Sequence, residues 1–212
     1  MEYKIRNMKF PKKKFKKINF FYHEYIDFLN KTLKNIDLKK LKLVSDLIEK
    51  KILKNKTIFV CGNGGSAAIS NHFVCDYIKL LRLHTNLKPK VISLSTNVEV
   101  ITAISNDFSY DKIFSSQLEY LAKKNDLLIL ISSSGNSKNI VNAIDYCKKN
   151  KIQTIGLSGF KGGHLDKHST IGINLKSENY GISEDSHHIL MHVIMQYLRL
   201  KYLKKKINQT IF

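Results

Sequence analysis

From residue 57 onward, short apolar runs alternate with polar or glycine-bearing turns and then with amphipathic stretches. The runs fall at 57–61, 91–94, 127–131, 154–157 and 171–175. They are continuous rather than alternating, as strands covered on both faces are. The succession predicts a parallel sheet with helices on both sides. Before residue 57 the period is helical: Phe21, Tyr25, Phe28 and Leu29 recur on one stretch, then Leu41, Leu43, Val44, Leu47 and Ile48 on the next. Two helices are expected there, with a break near 35–37, as an arm of the kind that packs on another subunit. The last segment, about 183–204, reads as one long helix. No solenoid-type repeat is present, and the only two prolines, Pro11 and Pro89, interrupt little. The domain reading is a basic tail (1–17), a helical arm (18–55) and an α/β domain (56–205).

The chain has 212 residues and a formal charge of +19. Much of the charge lies in Lys12, Lys13, Lys14, Lys16 and Lys17, in the lysines of 39–56, and in Lys204 to Lys206. Lysine dominates arginine, and no base-reading or stacking fingerprint accompanies it. The charge is therefore read as a solvated surface whose field gathers phosphorylated substrates, not as a nucleic-acid site. The three cysteines, Cys61, Cys75 and Cys147, are far apart and form no CxxC pair, so free thiols are expected. No apolar run approaches the length of a membrane span, and no secretory signal is evident. A cytoplasmic protein with no membrane partner is expected.

Two turns carry the chemistry. Cys61-Gly62-Asn63-Gly64-Gly65-Ser66 follows the first run and precedes a helix. Its glycines let backbone N–H groups approach a ligand, the helix start favours an anion, and Ser66 adds a hydroxyl. It matches neither the Walker loop nor the Rossmann fingerprint, which argues against a nucleotide cofactor. Ser132-Ser133-Ser134-Gly135-Asn136-Ser137 follows the third run and offers four hydroxyls in six residues. Ligands of open α/β sheets bind at the carboxyl ends of the strands, where both turns would lie. Together they predict a phosphate site.

The runs FVCGNGGSAAISNHF, AISNDFSYDKIF, ISSSGNSKNIVNAI and TIGLSGFKGG resemble the sugar-isomerase (SIS) domain family, and within it the phosphoheptose isomerases. The resemblance covers about residues 20–200. It implies a five-stranded parallel sheet flanked by helices and a homotetramer with active sites between subunits. It also implies an aldose–ketose conversion of sedoheptulose 7-phosphate to D-glycero-D-manno-heptose 7-phosphate through an enediol, feeding nucleotide-activated heptose and surface polysaccharide. Phosphate-binding roles fall on Ser66, Ser132, Ser133, Ser134 and Ser137, with Gly64 and Gly65 in the cradle and Asn63 and Asp107 near the sugar chain. The family's helical histidine and glutamate match His72 and Asp76, the latter one methylene shorter. In the last helix, alignment through Tyr180-Gly181 puts Glu184 on the acidic position, His187 on the glutamine position and Met195 on the final histidine position. His188 and His192, at i and i+4, stand nearby to take over that last role. The resemblance thus implies Asp76 as base, His187 or His192 as acid, and Glu184 as an orienting group. It leaves room for a zinc ion on His72, Asp76 and His187. Two rival readings are an isomerase or epimerase of another phosphosugar and a non-catalytic SIS-domain regulatory protein.

Overall fold

A computed structural model describes residues 10–204; residues 1–9 of the basic tail and residue 205 onward lie outside the described residues. Five parallel strands form one sheet, in the order β2-β1-β3-β4-β5. They are β1 (Thr57–Gly62), β2 (Lys90–Ser93), β3 (Leu127–Ser132), β4 (Gln153–Ser158) and β5 (Ile171–Asn174), each overlapping one expected run. Every residue of β3 is buried. Its side chains alternate between two cores: Leu127, Ile129 and Ile131 face one, Leu128 and Leu130 the other. Ile58 and Val60 of β1 join the first core, Phe59 and Cys61 the second. Burial on both faces is why these strands read as unbroken apolar runs.

The first core is covered by α2 (Leu38–Leu53), α3 (Gly65–Cys75) and α8 (Tyr180–Lys201). The second is covered chiefly by α5 (Ile113–Leu121), α6 (Lys138–Lys149) and the short α7 (Gly163–His168). The remaining helices are α1 (Ile18–Lys34) and α4 (Val98–Asp107). The expected break between the two N-terminal helices falls at 35–37, where Asp37 caps α2 by accepting from the N–H groups of Lys39 and Lys40. Phe10, from the basic tail, is buried against Phe21 and Phe28 of α1. Cys61 and Cys147 are buried free thiols, and Cys75 is an exposed one. Among the described residues no helix is long and apolar enough to cross a membrane.

β1 has β2 on one side and β3 on the other. The strand order therefore reverses between β1 and β3, which is where open α/β sheets place their ligands. The serine turn after β3 is held from behind by the turn after β4. Gly159 N–H donates to Ser133 O (2.9 Å), and Leu165 N–H donates to Gly135 O (3.0 Å). His164 N–H donates to Asn136 Oδ1 (2.9 Å). Gly135 has φ 65°, and a Cβ there would collide with the Gly162 carbonyl. Gly135→Ala is expected to lower unfolding stability by about 2 kcal/mol or more, from left-handed strain and the displaced turn. Urea denaturation at neutral pH measures it; an unchanged midpoint would mean the two turns are not locked together.

Candidate active site

The two turns predicted to hold phosphate meet at the β1/β3 reversal. Asn63 in the first and Asn139 in the first turn of α6 exchange amide hydrogen bonds: Asn63 Nδ2 donates to Asn139 Oδ1 (3.0 Å) and Asn139 Nδ2 to Asn63 Oδ1 (2.9 Å). Tyr110 Oη donates to the same Asn63 Oδ1 (2.9 Å). The segment between α4 and α5 thus reaches the site through Tyr110. Asp107, expected near the sugar, is exposed and accepts from its neighbour Asn106. Asn139 and Tyr110 escaped the sequence reading because an isolated amide and an isolated tyrosine carry no spacing signal.

The hydroxyls of the serine turn are unequally committed. Ser132 Oγ accepts from Gly135 N–H (3.2 Å), and Ser134 Oγ from Asn136 N–H (3.3 Å). Ser133 Oγ is buried with no hydrogen-bond partner. Ser137 stands at the N-cap of α6, yet its hydroxyl caps nothing. A buried hydroxyl without a partner is costly unless something else satisfies it. Accepting leaves a hydroxyl's hydrogen free, so all four serines keep a donor for an anion, and Ser133 has the greatest need of one. In the first turn, Ser66 is buried and Gly64 and Gly65 are exposed. Gly64 takes the left-handed N-cap position of α3 (φ 55°). Gly65 lies directly under Glu184, since a Cβ on Gly65 would collide with Glu184 Oε2. A carboxylate thus occupies the start of α3, where the helix dipole favours negative charge. Burial, and then Asp185, push the Glu184 carboxyl above its usual range. Asp185 in turn accepts a hydrogen bond from Tyr25 Oη of α1 (2.6 Å).

Six residues beyond Ser66, about 9 Å along the helix at 1.5 Å per residue, α3 delivers His72. The helix then passes into a π-helical segment, Asp76–Leu81. Such segments inside α-helices recur at functional sites. Asp76 opens it and is 3% exposed. Its Oδ1 lies 3.2 Å from His72 Nε2 and its Oδ2 lies 3.1 Å from His192 Nε2 of α8. The two Nε2 atoms are 3.3 Å apart. His188 completes the group: its ring stacks on His192 (4.5 Å between centroids) and meets His72 edge-on (4.5 Å). Burial, then the neighbouring His192 and His72, push the His188 imidazole below its usual range.

The candidate residues of α8 fall on two faces of the helix. His187, placed on the glutamine position and considered as acid and as metal ligand, is fully buried, apart from the His72 group. Its pKa is pushed down to about 4 by burial, which the Ser158 backbone offsets in part. Met195 lies in the first core. The reason is helical geometry. Ser183, His187, Leu190, Ile194 and Leu198 follow the buried stripe, whereas Glu184, His188 and His192 recur at i+4 on the adjoining half-exposed face. That polar i+4 line beside an apolar stripe is the signal that sets His192, rather than His187, beside Asp76.

The depressed His187 pKa has a stability consequence. Below about pH 6.5 the unfolded chain takes up a proton that folded His187 refuses, so stability falls as pH drops from 6.5 towards 4. At pH 4 the loss from this group is about 3 kcal/mol. Denaturant titrations of the native protein and His187→Leu at pH 7 and pH 4 check it. The variant is expected to lose correspondingly less stability; equal losses would mean the buried ring does not resist protonation.

Comparison with known proteins agrees with this fold. The SIS domain family model matches residues 21–159. A phosphoheptose isomerase of Campylobacter concisus is 36% identical over 159 residues, covering 75% of this chain and 84% of that one. A probable phosphoheptose isomerase of Thermoplasma acidophilum is 37% identical over 169 residues, covering 79% and 92%. The solved phosphoheptose isomerase of Neisseria gonorrhoeae superposes with a TM-score of 0.77 at 26% identity, over 85% of this chain and 97% of that one. With its five-stranded parallel sheet, its paired turns at the β1/β3 reversal and a family match over most of its length, the chain belongs to the SIS domain family.

Proposed function

We propose that this chain is a phosphoheptose isomerase, an aldose–ketose isomerase that converts sedoheptulose 7-phosphate to D-glycero-D-manno-heptose 7-phosphate. The observation that carries the reading is the buried Asp76 carboxylate, held between His72 and His192 and reached from the hydroxyl-bearing turns along one helix. Relatives at 36–37% identity bear the same activity in their names.

Ser133 and Ser137, with Ser66, Ser132 and Ser134 around them, grip the phosphoryl group with neutral donors. Asn63, fixed by Asn139 and Tyr110, orients the sugar chain. Glu184, at the start of α3, faces the hydroxyls between the two ends. Remote binding of the phosphate aligns the reacting carbons. Asp76 removes a proton from C1 while His192 protonates the C2 oxygen, giving the cis-enediol. His192 then takes the O1 proton, and Asp76 returns its proton to C2, so the aldose forms with no net gain or loss. His187, neutral at pH 7 and enclosed, is a poor proton donor, which leaves His192 as the acid.

His72, His188 and His192 place one ligand nitrogen each within 4.8 Å of one another, and Asp76 touches two of them. The 3.3 Å between the His72 and His192 nitrogens is the separation of two ligands about 2.0–2.1 Å from a tetrahedral zinc. Zinc thus fits these residues, with His188 or Asp76 as third ligand in place of His187. When bound, it would occupy the His192 nitrogen and polarise the substrate carbonyl as a Lewis acid, in place of proton donation by His192.

The product would feed nucleotide-activated heptose and surface polysaccharide (capsule or lipopolysaccharide) in the cytoplasm. Exposed Ile18, Phe20 and Tyr22 on α1, and Val193 and Tyr197 on α8, support a homotetramer that covers them.

Asp76→Asn is expected to reduce turnover of sedoheptulose 7-phosphate by about 10²–10⁴-fold, the span of a lost general base. NMR detection of the aldose phosphate reads the rate, and calorimetry checks that phosphosugar binding persists. Near-normal turnover in the variant would remove Asp76 as base. Metal analysis of protein prepared without chelator is expected to find about one zinc per chain, lowered in His192→Ala; equal zinc in both proteins would place the metal elsewhere.

A further inference from the structure

The opposite edge of the sheet holds a second concave site. A cavity of about 280 Å³ opens there, lined by Lys50, Lys51, Lys54, Lys56, Asn125 and Gln153. These residues come from the end of α2, the residues leading into β1 and β3, and the first residue of β4.

The lysines of this stretch read in the sequence as a solvated face, but Lys51 is 5% exposed. Its Nζ donates to the carbonyl oxygens of Asn125 (2.6 Å) and Asp126 (3.4 Å). The nearby Asp126 carboxylate is engaged by backbone: it accepts from Thr57 N–H (3.0 Å) and Lys123 N–H (2.8 Å). Burial, reinforced by repulsion from Lys50, Lys56 and Lys54, holds the Lys51 ammonium below its usual pKa, against the pull of Asp126. Four lysines thus line one cavity beside a single carboxylate. Cations at the end of α2 complement its dipole, a gain of about 0.3–1 kcal/mol each. That accounts for Lys50 at an exposed position. It does not account for burying Lys51 beside like charges, a cost that its two carbonyl acceptors and Asp126 offset only in part, since its pKa stays lowered.

We propose that this cavity binds a small polyanion with two or more phosphoryl groups in a chain, such as inorganic tripolyphosphate or the phosphate tail of a nucleoside triphosphate. One phosphoryl monoester carries about −1.5 to −2 and would leave much of the positive charge unmatched; a condensed chain matches it. The Asn125 and Gln153 amides supply neutral donors beside the ammonium groups. The recess admits a chain of phosphates rather than a folded polymer or a lipid surface. The strands are parallel, so β1 and β3 begin at this cavity and end at the catalytic turns. At about 3.3 Å per residue, the six residues of β1 put the two sites about 20 Å apart.

Calorimetric titration of tripolyphosphate into the full-length protein tests this without reference to turnover. Three proteins are compared: the native chain, the double variant Lys50→Gln/Lys54→Gln, and Ser133→Ala. Both lysines are exposed, so the double variant should stay folded, with a melting temperature lowered by no more than about 2–4 °C per lost kcal/mol of dipole pairing. Saturable binding is expected in the native protein and in Ser133→Ala, weakened about tenfold or more in the double variant, equivalent to about 1.4 kcal/mol. Inorganic phosphate should bind distinctly more weakly than tripolyphosphate. Absence of binding at millimolar tripolyphosphate, or equal affinity in the double variant, would overturn the site. Loss of binding in Ser133→Ala would assign the anion to the catalytic turns instead.

Discussion

Because β2 lies on one side of β1 and β3 on the other, the helices that follow β1 and β3 leave toward opposite faces of the sheet. α3 packs into one core through Ile69 and Phe73, and α6 into the other through Ile140, Ala143 and Ile144. The two turns that launch them are therefore forced apart at the top of adjacent strands, and a crevice must exist between them. The Asn63–Asn139 amide pair spans that crevice, and Tyr110 fixes which way the Asn63 oxygen points. An amide that both donates and accepts locks two loops in one orientation, whereas a charged pair there would compete for the phosphate.

The proposed proton transfer requires more than the crevice. Asp76 is buried, and only a partner from the last helix brings a second imidazole to its other oxygen. The contact is between elements more than a hundred residues apart, and both helices must be in register. α8 achieves this by packing its Leu190, Ile194 and Leu198 stripe on the same core that anchors α3, so one hydrophobic cluster positions both halves of the proposed proton-transfer pair. A loss of packing in that core would be felt at Asp76 before it was felt at the serine turn.

These dependencies explain what could be read from the chain and what could not. The strands were legible because burial on both faces leaves unbroken apolar runs, and the two turns because glycines and serines at strand ends have few other uses. His72 and Asp76 were legible because their i, i+4 spacing lies within one helix. On α8 the sequence left His187 and His192 both open as the acid, because three histidines within six residues present two faces and only packing decides which face turns inward. His187 follows the apolar stripe; His188 and His192 do not. The commitment of Asn139 and the closeness of Glu184 to Gly65 are tertiary facts with no local signature.

The distribution of charge along the sheet follows the same geometry. At the carboxyl ends of β1 and β3, an anion meets hydroxyls and amides, with carboxylates of Asp76 and Glu184 close by. At the amino ends it would meet ammonium groups. Neutral donors hold a phosphoryl group without a strong field that would suppress proton abstraction by a nearby base. Lysines in the catalytic crevice would stabilise the Asp76 carboxylate and weaken it as a base. Keeping the lysine cluster at the amino ends of the strands lets a strongly basic protein attract anions while the proposed proton-transfer groups stay clear of these lysines.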